Sequence, residues 1–370
     1  MKIVLAGGHL SPALSVLQAL PEETKVLFVG RKYALEGDQA LSLEYATMKE
    51  LNVPFVSLNT GRLQRKFSKY TILSLFKLPF GLIKSIFVLL KFRPDAVVGF
   101  GGYVSIPVVL SAYILRIPVV LHEQTLEAGL ANKFLSKFAT KICISWNSSR
   151  KYFPKEKTIS TGNPIRKLSA QPQAVDRKNR TIYITGGSSG SHFINVTIEG
   201  CIKELLEKYK VIHQTGDAQE FHDFDRLTEL KKTLPNNLGE KYTITKFVEP
   251  SEVGGILNKA ALVIGRSGMN TITELIYFEK PSLLIPIPFS SNNEQLKNAR
   301  FLEKLGLGKI LLQNEVNPRR LLQAVNLMFH NLDNFKVREA EGKHLSGKNA
   351  TRNIIEVINY VYKKKVQARR

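Results

Sequence analysis

The chain is 370 residues long, carries a formal net charge of +22 and contains 44% hydrophobic residues. This length exceeds what one hydrophobic core usually serves, so two domains are expected. The charge predicts a polyanionic partner, either nucleic acid or an anionic membrane surface. The two cysteines, Cys143 and Cys201, lie far apart, which argues against a disulfide framework or a zinc site. Because a strand-like segment begins at residue 2, no signal peptide is expected, and we expect a cytoplasmic protein.

Short apolar strands alternate with helix-length segments along the chain. In the first half, the predicted strands are 2–5, 25–29, 54–58, 96–100, 118–122 and 141–145. After a polar stretch the pattern restarts, and the predicted strands are 181–185, 210–214, 242–247, 261–265, 282–287 and 308–312. This alternation is typical of βαβ units. The sequence therefore predicts an α/β protein with two doubly wound parallel sheets and a linker near residues 163–178.

Glycine-rich loops follow predicted strands in both halves, at residues 6–9, 99–102 and 186–190. Glycine lets backbone N–H groups come close to a ligand. The fingerprint G-x-G-x-x-G with a later ribose-binding acid is missing after the first strand, and so is the Walker pattern. A nicotinamide enzyme and an NTPase are therefore disfavoured.

Residues 261–274, with the sequence ALVIGRSGMNTITE, indicate a buried strand, a tight loop and a helix N-terminus. Such a junction points free N–H groups at a phosphate or nucleotide. In the alternative, Thr271 and Glu274 form an ordinary capping box. Farther along, Glu294 and Gln295 follow another strand and suit sugar hydroxyls. The alternative there is helix capping by Asn292 or Asn293.

One histidine stands out as a candidate general base. Ser11 and Pro12 predict a helix start, which places His9 in a glycine loop just before a helix N-terminus. The alternative is a loop histidine bonded to a carbonyl. Five others fit no metal-ligand spacing and are interpreted as incidental: His192, His213, His222, His330 and His344.

Residues 62–93 hold eight Lys and Arg residues, no acidic residue and many large apolar ones. Lys77, Lys84 and Lys91, with Gly81 and Ser85 between them, predict a narrow polar stripe on an apolar helix. The pattern favours an interfacial helix on anionic lipid over a transmembrane span. The alternative is a buried helix whose lysines face water. The residues predicted to contact the membrane are Phe76, Phe80, Ile83, Lys84 and Phe87.

Eight motifs occur in order along the chain. They are AGGHLSPALS, VVGFGGYVSIP, HEQTLEAGLANKFLSKFATK, TGNPIRK, GGSSGS, HQTG, RSGMNTITEL and EQLKNA. Together they resemble the MurG family, the lipid-linked N-acetylglucosaminyltransferases of bacterial peptidoglycan synthesis. The resemblance is not complete. The family's first loop reads G-G-T-G-G-H and is longer, and Thr125 and Ser189 stand where the family has asparagine and glutamine.

The resemblance implies a GT-B fold, in which two Rossmann-like domains face each other across a cleft. Residues 1–163 would bind the acceptor and the membrane, and residues 164–345 would bind a UDP-sugar, with a helix at about 346–365 packing back on the first domain. The implied reaction is inverting transfer of GlcNAc from UDP-GlcNAc to the 4-hydroxyl of the muramoyl sugar on undecaprenyl diphosphate. It needs no cofactor and no essential metal.

The implied partners are these two substrates and anionic inner-leaflet lipid, with no nucleic acid, at the cytoplasmic face of the membrane. Three other functions remain as alternatives. One is a transferase acting on another lipid, the second is a UDP-sugar epimerase, and the third is a nucleic-acid-binding protein.

The resemblance also implies roles for individual residues. His9 and Glu123 match catalytic positions, and the choice of base between them stays open. The implied acceptor contacts are Gly101, Gly102 and Tyr103. The implied donor contacts are Ala6, Gly7, Gly8, Thr125, Arg166, Ser188, Val248, Met269, Asn270, Thr271, Ile272, Thr273, Glu274, Glu294 and Gln295.

Overall fold

The computed structural model describes residues 1–33, 41–58, 69–165, 170–173, 180–187, 190–249, 251–337 and 348–367. The chain folds into two compact units. One comprises Met1–Arg166 and Leu345–Arg370, and the other comprises Lys167–His344. Each unit is built on one parallel β-sheet, so the prediction of two doubly wound sheets is confirmed.

The first unit contains a seven-stranded parallel sheet in the order β3-β2-β1-β4-β5-β6-β7. The strands are β1 Lys2–Ala6, β2 Lys25–Gly30, β3 Phe55–Ser57, β4 Ala96–Gly99, β5 Val119–Glu123, β6 Lys141–Ile144 and β7 Thr158–Ser160. The helices are α1 Leu10–Ala19, α2 Leu43–Glu50, α3 Lys69–Phe92, α4 Ser105–Ile114 and α5 Leu130–Leu135. Val and Ile dominate the central strands, as expected where helices cover both faces of a sheet.

The second unit contains a six-stranded parallel sheet in the order β10-β9-β8-β11-β12-β13. The strands are β8 Thr181–Thr185, β9 Lys210–Gln214, β10 Tyr242–Thr245, β11 Leu262–Gly265, β12 Ser282–Leu284 and β13 Gly308–Ile310. The helices are α6 His192–Glu199, α7 Ile202–Lys208, α8 Asp223–Thr233, α9 Asn236–Gly239, α10 Val253–Lys259, α11 Met269–Tyr277, α12 Glu294–Lys304 and α13 Pro318–His330.

The last helix, α14 Lys348–Gln367, belongs to the first unit. Its residues Ile354 and Ile358 are fully buried in the core that also contains Ile3 and Leu5 of β1. At its start, the Asn353 amide donates a hydrogen bond to a backbone carbonyl at the end of β7, over 3.2 Å. The C-terminal segment therefore closes one face of the first sheet.

The strand order fixes where ligands can approach each sheet. In each unit the first strand lies between the second and the fourth, so the chain changes direction beside β1 in one sheet and beside β8 in the other. Open parallel sheets bind ligands at this switch point, outside the carboxyl ends of the strands. The glycine-rich loops after β1, β4 and β8 all lie at these edges.

Candidate functional site

At the switch point of the first sheet, the loops after β1 and β4 touch through their backbones. The Gly8 N–H donates to the Gly101 carbonyl over 3.1 Å. Gly7 has φ +133°, and a Cβ placed there would lie 2.5 Å from the same oxygen. A Cβ on Gly102 would lie 3.2 Å from the Gly8 nitrogen. This close approach requires glycine, and it brings the predicted donor loop at Gly7 and Gly8 against the predicted acceptor loop at Gly101 and Gly102.

His9 is exposed and stands at the N-cap position of α1. The prediction that this helix starts at Ser11 and Pro12 is wrong, because α1 begins at Leu10. Pro12 is tolerated there since the first-turn N–H groups have no intrahelical acceptor. The His9 ring lies against Gly101, where an added Cβ would approach its Cδ2 to 3.3 Å. The imidazole therefore lies at the positive end of a helix dipole.

Glu123 ends β5 and is buried, and its carboxylate accepts four hydrogen bonds. Oε1 accepts from the Thr125 N–H at 3.0 Å and from the Thr125 hydroxyl at 2.7 Å. Oε2 accepts from the Gly129 N–H at 3.0 Å and from the Asn132 amide at 2.9 Å. These contacts fix the loop that leads into α5. The hydroxyl of Thr125, predicted to bind the donor, lies between Glu123 Oε1 and the Glu127 carbonyl oxygen.

His122 lies beside His9 and stays neutral. Its pKa is lowered to about 3, mainly by burial; the Gly162 backbone opposes this shift and the charge of His9 adds to it. Its Nε2 meets the Ser145 hydroxyl at 3.2 Å. Among the described residues, Nδ1 of His122 and Oδ1 of Asn132 have no hydrogen-bond partner of good geometry. The site therefore contains two imidazoles, an exposed one on His9 and a buried, neutral one on His122.

Tyr103 ends the loop after β4, and the Arg31 guanidinium lies 5.6 Å from the centre of its ring. Arg31 in turn binds Glu44 of α2 at 3.2 Å. Neither Arg31 nor Asn132 was among the predicted site residues. Asn132 contacts His122 and Glu123, ten and nine residues earlier in the chain, across the loop after β5. Arg31 joins two separate elements, α2 and the loop after β4, which no local sequence pattern connects.

At the switch point of the second sheet, the loop after β8 packs closely on the loop after β9. Gly190 has φ +76°, and a Cβ there would lie 1.9 Å from the Thr215 carbonyl oxygen. Gly187 also has a positive φ, of +86°, but a Cβ there would meet no described atom within 4 Å. Ser191 ends this loop and caps α6 by accepting a hydrogen bond from the Ile194 N–H at 3.5 Å.

Helix α11 begins at Met269, and Gly268, its N-cap residue, has no side chain to cap it. Thr271 is the third helical residue, so the alternative in which it starts a capping box with Glu274 is wrong. The N–H groups of residues 269–271 have no intrahelical acceptor and lie at the carboxyl edge of the sheet.

The side chains of α11 divide into two groups. Met269, Ile272 and Thr273 are buried. The Ile272 N–H already donates to the Gly268 carbonyl, so of these three only Met269 has a backbone N–H that can serve a ligand. Asn270 is exposed, and Thr271 and Glu274 are half-buried. These last three side chains lie on the accessible side of the helix, where a nucleotide can reach them.

Gln295, in the first turn of α12, uses its side-chain oxygen within the protein. Oε1 accepts from the Ile287 N–H at 3.1 Å, so the NH₂ group is what Gln295 can offer a sugar. The alternative of capping by an asparagine side chain is wrong for Asn293, which occupies the N-cap without a capping bond within the described segment. Asn292 and Asn293 adopt left-handed backbone angles that asparagine tolerates. Glu294, beside Gln295, is half-buried.

Three predicted donor contacts lie elsewhere. Val248 is half-buried in the loop after β10, at the same edge of the sheet. Arg166 and Ser188 lie outside the described residues.

Arg266 follows β11 directly and was not among the predicted contacts. It is 8% exposed. Its guanidinium donates to the Ser191 hydroxyl at 2.9 Å, to the Ile285 carbonyl at 2.9 Å and to the Gln313 side-chain oxygen at 2.8 Å. Burial lowers its pKa to about 10, so the group remains a cation at neutral pH.

Two of the histidines for which no metal-ligand spacing was found are parts of a polar network that the sequence did not indicate. His213 is buried and hydrogen-bonded at both nitrogens, to Tyr242 at 2.9 Å and to Asn195 at 3.0 Å. His192 meets Asp223 at 2.9 Å, and Asn195 also donates to Asp223 at 2.7 Å. Within the described residues, no three His, Cys, Asp or Glu side chains cluster so that they could hold a metal ion.

Helix α3 exposes an apolar stripe in which Phe80 is 73%, Ile83 52% and Phe87 67% exposed. Gly81 and Ser85 are buried, so the prediction that they belong to a polar stripe with the lysines is wrong. Small residues on that side let α3 approach α4. Lys84 lies among the exposed residues and donates to a β3 carbonyl at 2.7 Å. The side chain of Phe76 lies outside the described residues.

Further exposed apolar side chains lie on α4 and α5: Tyr113, Ile114, Leu130 and Phe134. We call these four, with Phe80, Ile83, Phe87 and Leu90 of α3, the apolar face. In the part of the chain that the structure describes, none of the helices combines the length and the apolarity needed to cross a bilayer.

Comparison with known proteins identifies the family. Residues 6–144 match the glycosyltransferase family 28 N-terminal domain, and residues 181–357 match the C-terminal domain of that family. The chain is 32% identical to UDP-N-acetylglucosamine--N-acetylmuramyl-(pentapeptide) pyrophosphoryl-undecaprenol N-acetylglucosamine transferase 2 of Bacillus cereus, over 97% of this chain and 99% of that protein. The crystal structure of Acinetobacter baumannii MurG matches with TM-score 0.74 and 26% identity, over 97% and 99% of the two chains. The chain belongs to the MurG family of glycosyltransferases.

Membership of the MurG family confirms the resemblance derived from the eight motifs, and the GT-B fold class with it. A UDP-GlcNAc 2-epimerase from Methanocaldococcus jannaschii also matches, over 97% of this chain and 100% of that one, with TM-score 0.61 and 15% identity. That identity is too low to indicate a shared activity, so the epimerase shares the fold alone.

Proposed function

We propose that this chain transfers N-acetylglucosamine from UDP-GlcNAc to the 4-hydroxyl of a muramoyl peptide linked to undecaprenyl diphosphate, with inversion at the transferred carbon. The observation that carries this proposal is the 32% identity, spanning 97% of the chain, to a transferase whose name specifies these substrates. The geometry of the two sheet edges supplies the chemistry such a reaction needs.

The second unit is suited to the donor. The glycine-capped start of α11 and the glycine loop before α6 both offer backbone N–H groups at the switch point. When UDP leaves, negative charge grows on its diphosphate, and oriented N–H groups stabilise that charge. Glu274 lies one turn into α11, where its carboxylate can accept hydrogen bonds from ribose hydroxyls.

The first unit is suited to proton transfer. The 4-oxygen of the acceptor forms a bond to the sugar carbon while the bond from that carbon to the diphosphate breaks. The bonding electrons leave with UDP, and the hydroxyl proton passes to His9. His9 fits this role because it is exposed and lies beside the backbone of Gly101. Glu123 fits it poorly, because four donors already hold its carboxylate. We assign Glu123 to positioning.

We also propose that the apolar face binds the membrane that carries the acceptor. It holds three phenylalanines, a tyrosine and aliphatic residues, and Lys84 and Lys133 lie within or beside it. Apolar side chains with flanking lysines are typical of proteins that lie on anionic lipid.

The activity is tested with the purified full chain, UDP-GlcNAc and a muramoyl-peptide diphospholipid. We expect UDP release together with a disaccharide lipid carrying the β-anomeric configuration. Parallel reactions contain another polyprenyl-diphosphate sugar, or UDP-GlcNAc alone. Release with the other sugar but not with the muramoyl lipid would contradict the acceptor assignment. Conversion of UDP-GlcNAc alone into its 2-epimer would support the epimerase alternative.

Membrane binding is tested by flotation with phosphatidylglycerol and phosphatidylcholine vesicles. The double variant Phe80→Ser with Phe87→Ser should lose most binding to the anionic vesicles. Leu327→Ser is the matched control, since Leu327 is 63% exposed on α13 in the other unit. Equal binding by both variants would contradict the assignment of this face, and no binding by the unaltered chain would refute the membrane proposal.

A further inference from the structure

Arg266 is a buried cation whose hydrogen-bonding partners in the described structure are all uncharged. Its guanidinium donates four hydrogen bonds, to the Ser191 hydroxyl twice, the Ile285 carbonyl and the Gln313 amide oxygen. It also lies 5.8 Å from the centre of the Phe193 ring, which is likewise uncharged. Among the described residues, no carboxylate lies within the 4.0 Å of an ion pair. A buried charge without a counter-charge is costly, because hydrogen-bonding dipoles replace only part of its hydration.

Arg226, in the same unit, shows how an arginine charge is usually neutralised within a protein. It lies nearer the surface and binds two carboxylates, Glu199 at 2.8 Å and Asp223 at 2.7 Å. The contrast indicates that the charge of Arg266 is kept for a partner that is not part of the protein.

The position of Arg266 indicates the chemistry of that partner. It lies between the end of β11 and the start of α11, and it holds Ser191, the last residue of the glycine loop and the cap of α6. Both helix starts and the guanidinium contribute positive potential at one edge of the sheet. An anion is the ligand that this arrangement stabilises.

We infer that Arg266 is a positioning residue for the diphosphate of the donor, acting through the charge it keeps beneath the glycine loop and through its hold on Ser191. This inference rests on the proposed function, in which the second unit binds a UDP-sugar. It predicts that the contribution of Arg266 to binding grows with the number of phosphate groups on the ligand and is small for the nucleoside alone.

Calorimetric titration of the full chain with uridine, UMP and UDP tests this. Affinity of the unaltered chain should rise with each phosphate. In Arg266→Gln, UDP binding should weaken by about tenfold to a hundredfold, the usual effect of losing a hydrogen-bonded charge. Uridine binding should stay within about twofold, because no charge is lost from its site. Arg266→Lys keeps the charge but lacks the planar guanidinium, so its UDP affinity should lie between those of the unaltered chain and Arg266→Gln.

Arg226→Gln is the matched control and should leave the dependence on phosphate number unchanged. Equal weakening of all three ligands in both Arg266 variants would show a structural clamp alone and overturn the inference, as would unchanged UDP binding. If Arg266→Gln fails to fold, the same comparison is made with Arg266→Lys. An unaltered chain that binds none of the three ligands would instead contradict the proposed function, and the inference with it.

Discussion

The two sheet edges have the same topology but opposite electrostatics. In the first unit, the loops after β1, β4 and β5 surround a buried carboxylate, Glu123, and leave one histidine, His9, exposed. In the second unit, the loops after β8 and β11 surround a buried cation, Arg266, and two helix N-termini. One edge is equipped to accept a proton and the other to hold an anion. A shared fold can thus supply two halves of one reaction, because the loops alone determine the charge of each edge.

The largest effect is expected from removing the proton acceptor of the first edge. His9→Ala should lower kcat by about 10²- to 10⁴-fold, the usual contribution of a general base. UDP affinity should stay unchanged, because the groups proposed to hold the diphosphate and the ribose lie in the other unit. The measurement is steady-state transfer together with UDP titration.

His222→Ala is the control for this variant, since His222 is an exposed histidine of the second unit, with 69% of its side chain accessible. It should retain full activity. Transfer by His9→Ala at the unaltered rate would remove His9 as the base and reopen the case for Glu123.

The next largest effect is expected where Gly190 packs against the Thr215 backbone at the edge of the second sheet. Gly190→Ala should destabilise the protein by about 1–2 kcal/mol for the left-handed backbone, and overpacking against Thr215 should add about 1–3 kcal/mol. Gly187→Ala shares the positive φ but would meet no described atom within 4 Å, so the first contribution alone applies.

Thermal or urea unfolding of the two glycine variants isolates the contact, because the backbone term cancels in the difference. Donor affinity should fall with Gly190→Ala, since the loop must shift. Equal stability of the two variants would show that the loop yields without cost.

A third prediction separates positioning from catalysis at Glu123. An amide accepts hydrogen bonds at one atom, so Glu123→Gln leaves two of the four donors, which are half-buried except for Asn132, without their acceptor. Each donor left without an acceptor lowers the free energy of unfolding by about 1–3 kcal/mol. We expect a lower melting temperature, a lower rate and an unchanged pH profile for the activity that remains. Glu23→Gln, at an exposed site in the same unit, should be neutral. Loss of activity at an unaltered melting temperature would instead identify Glu123 as the base.

Apolar periodicity predicted the sheets well. All twelve predicted strands are present, while β7, Thr158–Ser160, was missed. Its three residues include one apolar side chain, whereas the segments that predicted the equally short edge strands β3 and β13 hold three each. The glycine loops were located correctly because glycine marks positions where a Cβ cannot fit. The predicted start of α1 was too late, and so was the start of α11 in the capping-box alternative, for one reason. A capping side chain marks a helix start because it accepts a hydrogen bond from a first-turn N–H group. These two helices follow His9 and Gly268, and neither residue makes such a bond among the described residues.

The contacts of Arg266 could not be predicted from the sequence. Arg266 reaches Ser191 and Gln313, which lie 75 and 47 residues away in the chain. Such partners depend on strand order, which local patterns do not encode. The buried position of Gly81 and Ser85 on α3 was missed for the same reason, since packing against α4 determines which side of the helix is covered.

The smallest effect concerns a feature that the two edges share. Each contains one buried neutral histidine, His122 in the first and His213 in the second, and burial lowers the pKa of both to about 3. Above pH 6.5 the imidazole is neutral in the folded and the unfolded chain, so it contributes no pH dependence. Below pH 6.5 the unfolded chain binds a proton that the folded chain refuses until about pH 3. Stability is therefore lost progressively as pH falls through this window, by about 1.4 kcal/mol per histidine at one pH unit below the unfolded value.

Imidazole resonances in NMR spectra measure this directly. The signals of His122 and His213, assigned with His122→Asn and His213→Asn, should not shift between pH 7.5 and pH 5, while urea unfolding becomes easier over the same range. Each substitution should remove one histidine's share of that pH dependence. His213→Asn should cost more stability at pH 7, because both nitrogens of His213 have partners, whereas Nδ1 of His122 lacks one of good geometry in the described structure. A His122 signal that titrates near pH 6.5 would mean that water reaches the ring, and the buried neutral group would then be a feature of the second edge alone.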